Sequence, residues 1–233
     1  MRLYIVRHAD PDYEGNTITA AGHLEAQALS RRFASQGLDY IYSSPLPRAV
    51  ETMQYTANAL GMTPEIVEWT AELSEWKIDQ KWGALFAFDL AGEVIRGCEL
   101  LPSHDTWHLT TPLNDPLFRE KFSALKQHSD TFLAQHGYER QGGLYRCQQP
   151  NRKKIAVFCH NGFGLTWLAH LLEIPVSLIW SGFWLAPSSV TTILFDERSA
   201  EWAVPRCLSV GDVSHLYAEG LPVQPRGLLS NRE

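Results

Sequence analysis

Arg7 and His8 directly follow the apolar run Leu3-Tyr4-Ile5-Val6, with Ala9-Asp10-Pro11 after them. An Arg side chain is a permanent cation whose fork of donors suits phosphate. A His side chain serves as nucleophile or proton carrier near neutral pH. The same order of residue types recurs twice. Tyr42 runs into Ser43-Ser44-Pro45-Leu46-Pro47-Arg48, and the apolar run Ile155–Cys159 runs into His160-Asn161-Gly162. A carboxyl is added by Leu73-Ser74-Glu75. Together these stretches supply two guanidiniums, two imidazoles and an acid, a set suited to holding an anion and moving protons beside it.

The elements that must position these groups follow from pattern. Leu3–Val6 and Ile155–Cys159 read as buried strands, and Leu38–Tyr42 as another. Thr19 can cap a helix over 20–36 that Gly37 stops. Pro47 suits the first turn of a helix lined by Val50, Met53, Ala57 and Leu60 and ended by Gly61. A helix also follows His160. Strand, polar loop and helix start then alternate, and in open α/β sheets ligands bind outside the carboxyl ends of the strands. Helix N-termini at that edge add unpaired N–H groups that favour an anion. A short strand is expected near Glu65–Glu68, and closing strands over 190–195 and 202–208. From Trp76 to about Arg152 the pattern loosens. Only Phe118–His136 forms a clear amphipathic helix there, with Phe118, Phe122, Leu125 and Phe132 as its stripe. This stretch reads as an insertion covering the site and ending in a polar loop over 137–154. The tail after Leu221 reads as poorly ordered.

Composition sets limits. The 233 residues are 45% hydrophobic and 20% charged, ordinary for one domain able to bury a core, with a net charge of −6. That charge gives no general attraction to nucleic acid or anionic membrane, so an anionic substrate must be held locally. No apolar run approaches a membrane span and no leader precedes the first strand, making the cytoplasm the expected compartment. Cys98, Cys147, Cys159 and Cys207 lack CxxC spacing and read as buried thiols.

The combination resembles the histidine phosphatase superfamily, in its phosphoglycerate mutase-like branch. The resemblance rests on Arg7-His8-Ala9, Thr19 with Gly22, Ser43–Thr52, Leu73-Ser74-Glu75, His160-Asn161-Gly162 and Asp212–Leu216, in the family's order across most of the chain. It implies a single domain over 1–233, a three-layer α/β/α sandwich with 76–152 as a helical cap. It also implies a phosphomonoester hydrolase needing no metal or other cofactor. His8 would be the nucleophile that forms a phosphohistidine, and Glu75 the proton donor, chosen over Glu72 for the Leu-x-Glu spacing. Arg7, Arg48 and His160 would hold the phosphoryl oxygens. Asn16 is either a phosphate donor or an ordinary loop residue. Ser44 either touches phosphate or caps the following helix, and Asn161 adds a donor or takes a left-handed turn. Ala9 stands where the family usually has Gly. The expected partner is a small phosphorylated metabolite, with neither nucleic acid nor membrane; a homodimer is compatible with the sequence and not specified by it.

Three other readings compete with this one. A cofactor-dependent mutase shares the core, but Trp76–Gly83 lacks the basic, His- and Tyr-containing sequence of such enzymes. His104 and His108 are spaced as metal ligands on one helical turn, without the Glu of His-Glu-x-x-His. A non-catalytic phospho-ligand binder conflicts with the full set of Arg7, His8, Arg48 and His160. Trp76, Trp82 and Trp107 are candidates either for an aromatic wall around substrate or for cap packing, while Trp167 and Trp202 are expected in the core.

Overall fold

Strand β1 (Arg2–Arg7) lies near the middle of the sheet in the computed structural model, which describes residues 1–78 and 85–228. Along the chain follow β2 (Pro11–Asp12), β3 (Thr17–Ile18), α1 (Ala20–Gln36), β4 (Tyr40–Ser43), α2 (Pro47–Leu60) and β5 (Glu65–Ile66). The segment expected as the cover contains α3 (Gly92–Arg96) and α4 (Pro116–Gln135). Then come β6 (Tyr138–Gln141), β7 (Leu144–Cys147), β8 (Lys154–Cys159), α5 (Asn161–Leu172) and α6 (Val176–Gly182). The fold closes with β9 (Val190–Asp196), β10 (Trp202–Asp212) and α7 (Ser214–Ala218).

Among the described residues, eight strands form one sheet in the order β5-β4-β8-β1-β9-β10-β7-β6. The half from β5 to β1 is parallel; from β1 outward through β9 and β10 the pairing is antiparallel. Strand alternation divides the core. Tyr4 and Val6 of β1 and Ala156 and Phe158 of β8 meet Leu29, Phe33, Met53 and Ala57 of α1 and α2. Leu3, Ile5, Ile155 and Val157 face the other way, toward the cluster shared with α4, α5 and α6. This is the expected three-layer α/β/α arrangement.

Helix α1 runs over the expected span, with Thr19 Oγ1 accepting from Gly22 N at 3.0 Å. Gly22 has no room for a side chain, since a Cβ there would lie 2.5 Å from the Asp10 carbonyl oxygen. Helix α2 begins at Pro47 and ends at Gly61 in the left-handed conformation.

The expected limits of the cap need correction. Residues 138–147 are a hairpin that extends the main sheet through β7 and β10, not a polar loop at the end of an insertion. The signal was present: Gln141-Gly142-Gly143-Leu144 sets two glycines between alternating segments, a two-residue hairpin turn. The tail also differs from expectation. Residues 222–228 are described, and Arg226 packs across the end of β1. Trp76 and Trp107 are buried in the core, Trp167 is fully buried, and Trp202 is half-buried. Trp82, with the rest of 79–84, lies outside the described residues. Cys147 and Cys159 are buried; Cys98 and Cys207 are partly exposed, and all four are free thiols.

Candidate active site

The backbone around His8 is held from three sides. His8 N donates to Cys159 O at 2.9 Å, Ser188 N donates to His8 O at 3.0 Å, and Ala9 N donates to Thr52 Oγ1 at 2.9 Å. The ring is 2% exposed. Its Nδ1 lies 2.7 Å from Ala9 O, and a carbonyl only accepts, so the proton sits on Nδ1. The lone pair is thereby placed on Nε2, where Arg48 Nε approaches to 3.2 Å. Burial, and then the charges of Arg7 and Arg48, hold His8 well below its usual value, against the Ala9 hydrogen bond. His8 is therefore neutral at physiological pH, its free nitrogen facing a cation.

Arg7 is also 2% exposed. Its Nη1 donates to Leu185 O at 2.5 Å and to Arg226 O at 3.0 Å, which fixes the plane of the fork. Its Nε is buried with no partner among the described residues. An unmade bond to a buried charged donor is costly, and such groups occur where a ligand completes them. Arg48 stands in the first turn of α2, partly exposed, with the Tyr13 ring 5.7 Å from its guanidinium.

His160 is fully buried, with its ring centroid 5.1 Å from that of His8. Its Nε2 is 2.7 Å from Ser44 Oγ, which itself accepts from Leu46 N at 3.2 Å. The serine hydroxyl proton is then free to point at Nε2, leaving the His160 proton on Nδ1, a second buried group without a partner. The N-cap of α2 is Leu46, without a side-chain cap bond, so Ser44 does not act as the N-cap. It holds the second histidine instead.

The acid is the main correction. Glu75 is exposed, and its backbone carbonyl takes a bond from Lys121. The structure does not bring its side chain to the cluster. Glu72, three residues earlier, is there: Oε1 accepts from Phe163 N at 2.9 Å and Leu73 N at 3.0 Å, and Oε2 from Gly162 N at 3.2 Å. Burial raises its proton affinity, opposed by those three amides and by Arg48. The approach requires glycine at 162, where a Cβ would lie 2.8 Å from Glu72 Oε1 and 2.5 Å from the Phe88 ring. The Leu-x-Glu spacing misled because the chain turns immediately after Leu73, sending Ser74 and Glu75 outward.

The remaining expected residues divide. Asn16 stands exposed in the β2–β3 turn at φ +52°, outside the cluster. Asn161 opens α5, and its Oδ1 accepts from Leu185 N at 3.1 Å, bracing the same turn that holds Arg7. His215 is buried and bonds Ser188 Oγ at 3.0 Å, so the late Asp212–Leu216 motif supports the loop behind His8. His104 pairs with Glu173 at 3.6 Å, and no group of three metal-ligating side chains occurs among the described residues. Sequence reasoning missed Asp89 and Arg226, which carry no periodic or motif signal.

Residues 3–92 match the model of the histidine phosphatase superfamily, branch 1. That stretch resembles the superfamily, and the match covers less than half of the chain. A putative phosphoserine phosphatase 2 of Hydrogenobacter thermophilus is 33% identical over 97 residues, covering 37% of this chain and 48% of the relative. The matched stretch thus spans about half of that relative's length. Solved phosphatase structures align over nearly the whole chain. Phosphoserine phosphatase of Entamoeba histolytica in complex with phosphoserine gives a TM-score of 0.60 at 20% identity, covering 92% of this chain and 98% of that one. The alpha-ribazole phosphatase of Shigella flexneri gives 0.55 at 19% identity, with 91% and 97% covered. These likenesses show a shared fold over nearly the whole chain, including the strand that leads into His160. No helix is long and apolar enough to cross a membrane among the described residues.

Proposed function

We propose that this chain is a member of the histidine phosphatase superfamily that hydrolyses small phosphomonoesters through a phosphohistidine on His8, with Glu72 as the proton carrier. The observation that carries the reading is the His8 Nδ1 bond to Ala9 O, which leaves a neutral ring with its Nε2 lone pair turned toward Arg48. A phosphoryl group entering there would meet Arg48, the free Nε of Arg7 and the free Nδ1 of His160. These donors offset its charge and bind the oxygens on which charge builds in the transition state. His8 Nε2 would form the P–N bond as the P–O bond to the alcohol breaks. Glu72 would deliver its proton to that leaving oxygen; Oε2, which accepts only one amide, has the lone pair to carry it. The resulting carboxylate would then take a proton from water as the water oxygen attacks phosphorus, restoring neutral His8 and releasing phosphate. Relatives named for phosphoserine and related phosphorylated metabolites support a small substrate. The side-chain cations supply the positive charge, so the reading requires no metal.

Hydrolysis of p-nitrophenyl phosphate in the presence of chelator is the test. Wild-type protein should turn over and accumulate an acid-labile, base-stable phosphoenzyme. His8→Ala should lose at least about a thousandfold in kcat, as expected for removal of a covalent nucleophile. Turnover within tenfold of wild type in that variant would overturn the proposal. Vanadate binding without turnover in the wild type would favour a phospho-ligand binder instead.

A further inference from the structure

Beside the anion cluster lies a cavity of about 420 Å³ whose walls include Phe88, Trp180, Phe183, Trp184 and Asn161. It adjoins the proposed phosphoryl site at two places. Asn161 follows His160, and a Cβ on Gly227, at the cavity's other side, would lie 3.9 Å from Arg7 Nη2. A phosphomonoester held by Arg7, Arg48 and His160 has this space for its alcohol portion.

Among the described residues that line it, Asp89 is the one ionisable side chain. It ends the short 3-10 turn Ala87–Asp89, which is clamped by Phe88 against Gly162 and packed on α6. Its carboxylate is half-buried, and no hydrogen bond or ion pair engages it among the described residues. Two nearby cations are engaged elsewhere: Arg226 Nε donates to Asp10 at 2.8 Å, and Arg96 Nε donates to Ser181 Oγ at 3.2 Å. Burial and the Glu72 carboxyl push Asp89 up to about 6, while Arg7 pulls it down. A partly desolvated carboxylate without donors, set among aromatic faces, is poorly suited to a second anionic group on the substrate. It is well suited to a cation, which would complete its bonds and lie against the indole and phenyl rings.

We infer that Asp89 selects phosphomonoesters whose alcohol portion carries an ammonium group. This rests on the phosphoryl site proposed above, and it adds a specificity-determining residue from the cover to catalytic groups drawn from the core.

Three probes of equal length separate the effect of charge: 2-aminoethyl phosphate, 2-hydroxyethyl phosphate and phosphoglycolate. Wild-type kcat/KM should fall in that order, with the ammonium ester at least about tenfold ahead of the carboxylate, the scale of one charge-assisted hydrogen bond. Asp89→Asn should bring the three within about threefold of one another, and Asp89→Lys should place phosphoglycolate first. Affinities of the same probes for His8→Ala, by calorimetry, should follow the wild-type order. Turnover without this order, or an order unchanged in Asp89→Asn, overturns the inference and leaves the hydrolase reading standing. The order in binding with no turnover upholds Asp89 and overturns the hydrolase reading. Binding of none of the three overturns both.

Discussion

At the carboxyl edge of the sheet, backbone atoms position the reactive groups. The Ala9 carbonyl orients His8, the carbonyls of Leu185 and Arg226 hold Arg7, and three amides hold Glu72. Between Leu85 and Gln135 the positioning comes from apolar packing. Trp107 stacks edge-on to Phe122 and Trp180 at 5.6 and 5.9 Å, and Phe118, Leu125 and Phe132 turn inward from α4. Backbone geometry changes little when a side chain changes, whereas packed rings can be re-sorted among many hydrophobic combinations. The edge is thus suited to chemistry that must stay constant. The cover is suited to a specificity that can be altered one side chain at a time, as at Asp89.

The sharpest way to break this contrast lies within one loop that carries both kinds of residue. Glu72→Gln, at an amide-held position, should lower kcat for an aryl phosphate by about a hundredfold or more, the usual scale for a lost general acid. Glu75→Gln, three residues away and exposed, should stay within about twofold. The reverse pattern would restore Glu75 as the proton donor and remove the structural basis for choosing Glu72.

A smaller effect is expected where the edge is buried but takes no part in the proton transfer. Glu25 is 1% exposed, its Oε2 accepts from Asp10 N at 2.8 Å, and its Oε1 has no partner among the described residues. Burial raises it to about 7, partly offset by the Asp10 amide bond. The native state then holds a proton that the unfolded chain has released, so stability falls as pH rises from about 4.5 to about 7. Glu25→Gln should remove that slope, gaining on the order of 1 kcal/mol relative to wild type at pH 8 and little at pH 4. Equal differences at both pH values, in urea unfolding, would show that Glu25 titrates normally. The smallest effect belongs to the cover. His104→Ala with His108→Ala should leave kcat within about twofold and chelator sensitivity unchanged, as for surface substitutions generally. A loss reversed by added zinc would make this pair a metal site.

How far the sequence could be read follows the same division. Helices α1 and α2 were legible because their caps and stops, Thr19 with Gly37 and Pro47 with Gly61, are local signals. Arg7, His8, Arg48 and His160 were legible because strand ends and helix starts must meet at one edge. Glu72 was not, since which of two nearby acids points inward depends on a turn after Leu73 set by tertiary contacts with Gly162 and Phe163. The β6–β7 hairpin resembles a polar loop in the sequence because each strand is only four residues long. Asp89 and the crossing of Arg226 over β1 depend on long-range contacts that no window of sequence contains.

Strand β1 pairs with β8 from Arg2↔Lys154 to Arg7↔Cys159, and with β9 from Arg2↔Leu194 to Val6↔Val190. The strand that leads into His8 is therefore seated between two strands synthesised some 150 to 190 residues after it. Closing loops of that length carries a large entropic cost before the contacts repay it, and topologies dominated by such pairings fold slowly. Helices α1 and α2 can form early from local signals, but neither His160 nor the turn behind His8 is in place until β8 and β9 have docked. Recovery of activity during refolding should consequently lag the recovery of helical signal and coincide with completion of the sheet.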